Sequence, residues 1–141
     1  MRRALVLGLL LVGCDAPKPP EARLVVEAHE ALWEARRGSF EARADRLEAL
    51  RALALRDPDV ASVRDACVSL HATMLEADRL TQEARARVDA FEATLPAERD
   101  REETARIAEL LGRSHGALRR SEEVRSDCLR GIQRLEEKER R

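Results

Sequence analysis

Apolar residues recur every seven positions through the middle of the chain. Val60, Cys67, Met74, Thr81, Val88 and Leu95 form one series, and Val63, Leu70, Ala77, Ala84 and Phe91 form its companion. This 3-4 spacing, held for five heptads, is the seam of a coiled coil. A later stretch has the same period but a leakier seam. It reads Ile107, Ser114, Ser121, Cys128 and Leu135, with Thr104, Leu111, Leu118, Arg125 and Ile132. Nearer the start, Val26, Trp33, Phe40, Leu47 and Ala54 fall seven apart, with Leu32, Ala44 and Leu50 alongside. After residue 20, prolines occur only at 58 and 96. Proline breaks a helix interior, so three long helices are predicted, near 21–56, 58–95 and 97–139.

Local signals support these boundaries. Asp57-Pro58-Asp59 supplies an N-cap acid, a proline for the first helical position and a second acid at the positive end of the dipole. Leu95-Pro96-Ala97-Glu98 permits a tight reversal. Arg36-Arg37-Gly38-Ser39 interrupts the first helix, where Gly38 costs helix stability and Ser39 can cap a fresh start.

The pattern predicts an all-α fold, an elongated antiparallel three-helix bundle of coiled-coil type about 55 Å long. In an antiparallel hairpin, opposed residues share a constant index sum. If Cys67 meets Cys128 the sum is 195, and the reversal centres on 97–98. The same sum pairs Val60 with Leu135, Val63 with Ile132, Ala77 with Leu118, Ala84 with Leu111, Val88 with Ile107 and Phe91 with Thr104. The cysteines were not used to choose the seams, yet they lie on them at matching heights. A Cys67–Cys128 disulfide is therefore predicted. It would close a loop of about 60 residues, for which chain entropy gives roughly 4 kcal/mol. Arg125 opposite Leu70 and Ser121 opposite Met74 weaken the register. A first helix antiparallel to the second puts Gly38, Ala77 and Gly116 at one height, either as a waist or bend or as tolerated glycines.

The N-terminus differs in kind. Met1-Arg2-Arg3 precedes the apolar run Ala4–Leu11, followed by Val12-Gly13-Cys14. Two positive charges, a short apolar stretch and a small residue before a cleavage point make a secretory signal, too short to span as a mature helix. Leu11-Val12-Gly13-Cys14 resembles the lipobox of bacterial lipoproteins in order, spacing and position, over about a tenth of the chain. The resemblance implies that Cys14 sulfur receives a diacylglyceryl group and that signal peptidase II cuts between Gly13 and Cys14. It also implies acylation of the new amino group in many bacteria. Such a residue needs a thiol nucleophile, and several acyl chains hold a protein stably at a membrane. Residues 1–13 would then be the signal peptide, 14–20 a lipidated cysteine with a proline-rich tether, and 21–141 the helical body. The tether, Asp15-Ala16-Pro17-Lys18-Pro19-Pro20, favours an extended polyproline form reaching roughly 20 Å. An Asp in the place of Asp15 resembles the inner-membrane retention signal of enteric bacteria. With Cys14 lipidated, Cys67 and Cys128 remain as an even pair for an oxidising compartment.

Composition narrows the function classes. Charged residues make up 38% of the 141 residues, with a formal net charge of −1. The basic residues are nearly all arginine, and Tyr and Asn are absent together, which is the signature of a GC-rich genome. The acids interleave with the arginines, so no basic face gathers for nucleic acid. They read as solvated helix faces laced with i,i+4 pairs.

Candidate chemistry is sparse. Under the antiparallel register His29, His71 and His115 do not converge, and His115 falls opposite residue 80, roughly 13 Å along the axis from His71. Met74 lies one turn from His71, which suggests a copper or haem ligand, but a seam methionine is ordinarily core. There is no Cys-x-x-Cys-His, no glycine-rich phosphate loop and no Gly-x-Ser-x-Gly turn. The expectation is no catalytic residues, no metal and no cofactor beyond the lipid on Cys14. The chain reads as a non-enzymatic envelope lipoprotein facing the periplasm, structural or protein-binding, inner membrane favoured by Asp15. Its partners would be the membrane, an unidentified envelope protein and possible further copies of itself. Leu24, Val25, Leu32 and Trp33 form the densest apolar cluster of the first helix, and they are a partner surface if the core leaves them uncovered. The alternatives are a periplasmic helical chaperone or stress sensor, and a metal- or haem-binding bundle.

Overall fold

The computed structural model describes residues 20–94 and 100–140. The described residues are helical throughout apart from short connections. They form α1 (Glu21–Glu34), α2 (Phe40–Arg51), α3 (Pro58–Glu92) and α4 (Arg101–Glu139), with a 3-10 turn at Ala35–Arg37. The expected signal peptide, the lipobox-like residues 11–14 and the expected reversal at Pro96 lie outside the described residues.

The caps are local and readable. The Asp57 carboxylate accepts from the backbone N–H groups of Asp59 (2.9 Å) and Val60 (3.4 Å), with Pro58 opening α3. The Asp100 carboxylate accepts from Glu102 N–H at 2.9 Å, so α4 begins a few residues after the predicted position 97. Ser39 Oγ accepts from Ala42 N–H at 3.1 Å and starts α2.

That last cap marks the main departure from the sequence pattern. Four helices stand where three were predicted, because the segment 21–56 is two helices folded back on each other. Gly38 N–H donates to Ala35 O at 2.7 Å, which closes the 3-10 turn, and Gly38 then leaves it in an extended conformation. α1 runs in the same direction as α3: the Glu21 carboxylate accepts from the N–H groups of Arg56 and Asp57, and His29 meets His71. α2 runs back against α3, with Arg43 on Asp78 at 2.6 Å and Arg64 donating to Leu53 O at 2.8 Å. The first segment therefore covers only the part of the α3–α4 hairpin where α3 begins and α4 ends. The physical reason is the break itself. A helix crossing Gly38 gains no packing at Arg36 and Arg37, whereas a hairpin buries Val25, Val26, Leu32, Leu47 and Leu50 in one core.

The α3–α4 register follows the predicted sum closely. Cys67 and Cys128 are disulfide-bonded, with Cα atoms 4.7 Å apart. Farther out, Thr81 Oγ1 and Ser114 Oγ share a hydrogen bond at 2.8 Å, and Ser114 Oγ donates to Ala77 O at 3.0 Å. The companion seam of α4 keeps Ile132 in the core but is shifted by one residue over its middle. Leu110, Ala117 and Gly131 are buried, while Leu111 and Leu118 are 41% and 46% exposed and Arg125 is exposed. Close approach explains the choice. A Cβ on Gly131 would stand 2.8 Å from both methyl groups of Val63. So Gly131, Ala117, Ser114 and Ser121 take interior positions, while Leu111 and Leu118 turn outward. Gly116 lies within α4 and does not interrupt it. Beyond the reach of α2 the two long helices pair alone, around the small cluster Leu80, Ala84 and Leu110.

Candidate functional site

Three helices place chemically capable side chains at one buried point. Cys67 and His71 are four residues apart on α3 and so share a face. Cys128 comes from α4 and His29 from α1. Both sulfurs are fully buried, and the two histidines are each 6% exposed. His29 Nδ1 lies 3.1 Å from His71 Nε2 and 3.7 Å from Cys128 Sγ. The imidazole rings are tilted, with centroids 5.2 Å apart.

The two facing nitrogens can share one proton, with one ring donating and the other accepting. A second proton would set two N–H groups against each other in a buried space. Burial holds His71 down to about 4, and the neighbouring His29 and Arg43 push in the same direction. His29 is also lowered by burial, opposed by the Glu136 carboxylate. Both rings are therefore neutral at ordinary pH. His29 Nδ1 and the two sulfurs lie within 4.8 Å of one another, a spacing compatible with a shared metal ion. With the sulfurs bonded to each other no thiolate is present to serve as a ligand.

This convergence corrects the expectation that the histidines stay apart. An antiparallel first helix aligned Gly38 with Ala77. His29, nine residues before Gly38, then fell nine beyond Ala77, at position 86. That is fifteen residues from His71, or about 22 Å. The α1–α2 hairpin reverses the direction of residues 21–34 and carries His29 to His71. One sign was present in the chain: Cys67 and His71 have the i,i+4 spacing of a helical ligand pair. His115 is exposed and takes no part in this cluster. Met74 packs against the core beside the site.

The expected partner surface is mostly covered. Val25 is fully buried and Leu32 is 3% exposed, both in the core, so neither is available to a partner. Leu24 and Trp33 are half-buried. The Arg36 guanidinium lies 5.1 Å over the Trp33 ring and donates to its carbonyl at 2.8 Å. Cys14 and Gly13, the expected lipidation and cleavage residues, lie outside the described residues. No described helix is long and apolar enough to cross a membrane. No protein-family model, curated protein or solved structure matches the chain.

Proposed function

We propose that this chain is a lipid-anchored protein of the bacterial cell envelope, with a structural or protein-binding role and no enzymatic activity. One observation carries the reading. Cys67 and Cys128 are bonded to each other, which leaves Cys14 as the third cysteine, and Cys14 stands at the end of the lipobox-like Leu11-Val12-Gly13-Cys14. A bonded pair suits an oxidising compartment, and a thiol in that position suits thioether lipidation.

The body suits a spacer or docking post. The chain joins α1 at Pro20, beside Asp57 and Lys138, at the end where four helices pack. α3, with 35 residues, then extends about 52 Å along the rod. With the anchor at Cys14, the four-helix end lies nearest the membrane and the two-helix end stands away from it. The antiparallel bundle of coiled-coil type survives in this reading as an α3–α4 rod buttressed at its base by the α1–α2 hairpin.

Metabolic labelling with an alkyne fatty acid, followed by mass spectrometry of the N-terminal peptide, tests the proposal. The expected product begins at a diacylglyceryl-modified Cys14, and Cys14→Ser abolishes the label. An unlabelled chain that keeps Met1 refutes it.

A further inference from the structure

The disulfide and the histidine pair occupy one point, and the geometry there resembles a coordination sphere more than a packing accident. We propose that the reduced chain holds one divalent metal ion of the zinc type at Cys67, Cys128, His29 and His71, and that the disulfide and the metal are mutually exclusive states of the same site.

The distances carry the argument. A tetrahedral zinc ion with Zn–N near 2.0–2.1 Å and Zn–S near 2.3 Å places two nitrogen ligands about 3.3 Å apart and a nitrogen and a sulfur about 3.6 Å apart. The corresponding separations here are 3.1 Å between His29 Nδ1 and His71 Nε2, and 3.7 Å between His29 Nδ1 and Cys128 Sγ. His29, Cys67 and Cys128 already bring their ligand atoms within 4.8 Å of one another; on reduction the sulfurs separate to about 3.8 Å, and His71, held against His29, turns with it to complete the tetrahedron. The ligands come from three helices, with Cys67 and His71 as an i,i+4 pair. A closed set of two thiolates and two imidazoles leaves no open position, as in a structural rather than a catalytic zinc site.

Charge and proton balance fit a buried position. Two neutral thiols bind the ion and release two protons to solvent. Two thiolates, a dication and two neutral imidazoles sum to zero, so no net charge is buried. The proton shared between the facing nitrogens moves to the far nitrogen of its own ring, which frees both lone pairs. A newly made chain already carries thiols, so loading before oxidation needs no reductant. Starting from the disulfide, a dithiol reductant supplies two electrons and two protons and becomes a disulfide itself. Both sulfurs are fully buried, so that route requires the α1–α2 hairpin to open.

The test uses the full chain carrying Cys14→Ser, which removes the third thiol and makes the result independent of lipidation. Cobalt(II) is titrated into the reduced and the oxidised protein under exclusion of oxygen, with circular dichroism on each sample. The reduced protein is expected to take one cobalt ion, with a thiolate charge-transfer band and the intense visible bands of tetrahedral cobalt. The oxidised protein is expected to take none. His29→Gln should abolish the tetrahedral spectrum, and His71→Gln should weaken binding at least tenfold. If reduction alone lowers helix content, added zinc should restore it. The proposal fails if the reduced chain shows no tetrahedral cobalt, or if zinc does not restore lost helix. A spectrum that survives both histidine substitutions also overturns it, since it would report two thiols acting without the folded site.

Discussion

Replacing Gly131 by alanine sets two known effects against each other, and the structure decides the sign. In a helix interior, Gly→Ala gains roughly 1 kcal/mol from propensity. At Gly112, where an added Cβ meets nothing within 4 Å, that gain should appear undiminished. At Gly131 the same Cβ would stand 2.8 Å from Val63 Cγ1 and Cγ2 and 3.2 Å from its Cβ. Val63 is β-branched and stiff at χ1, it is 5% exposed, and it lies one turn from the Cys67 staple. The helices cannot easily part there, so overpacking of about 1–3 kcal/mol applies. Gly131→Ala should thus be neutral to destabilising by up to about 2 kcal/mol, the propensity gain subtracted from the clash. Urea unfolding followed by helix circular dichroism gives both variants on one scale. Gly112→Ala should raise the midpoint and Gly131→Ala should leave it unchanged or lower it. In a Val63→Ala background Gly131→Ala should become stabilising, a coupling that a double-mutant cycle isolates. Equal stabilisation at both glycines, or no coupling to Val63, would refute the close approach of α3 and α4.

The outward turn of Leu111 and Leu118 makes a second contrast. Leu118→Ala should cost less than about 0.5 kcal/mol, as for an ordinary surface change, while Ala117→Leu, at a fully buried position, should cost about 1–3 kcal/mol in the same unfolding assay. Breaking the Cys67–Cys128 bond, which spans 61 residues, should cost roughly 4 kcal/mol in metal-free protein, read as the difference between oxidised and reduced unfolding midpoints. Acidification of the oxidised protein should weaken the fold in a defined window. His71 is held at about 4 in the fold against 6.5 in the open chain, so between those values the unfolded state binds more protons and stability falls as pH falls. Its contribution is complete above 6.5, lost by about 4, and worth roughly 3 kcal/mol at most. His29 and Arg43 face His71, and Glu136 faces His29. A pH series of unfolding midpoints should flatten, though not vanish, in His71→Leu, because His29 still contributes.

Much of this architecture is legible along the chain because its causes are local or periodic. The Asp57-Pro58 start needs three residues to specify it. The α3 seam repeats over five heptads, and the register of α3 against α4 follows from matching two seams of equal period. The disulfide is the product of that match. The one-residue shift in the middle of α4 is less visible, because hydrophobicity does not separate Leu110 from Leu111 and favours Leu118 over Ala117. Size at a close helix contact, which no hydropathy pattern expresses, reverses that preference.

The sequence by itself determined that the chain is helical, where α3 begins, that α3 and α4 pair antiparallel, and that Cys67 meets Cys128. It also carried the N-terminal residues Leu11-Val12-Gly13-Cys14, on which the proposed lipid anchor rests. Only the tertiary structure decided the direction of residues 21–34. A break at Gly38-Ser39 is compatible with a kinked rod or a hairpin, and the difference lies in how much apolar surface each buries against helices far away in sequence. That choice brought His29 to His71 and the disulfide, because the direction of one short helix moves a side chain by about 22 Å while leaving every local pattern unchanged.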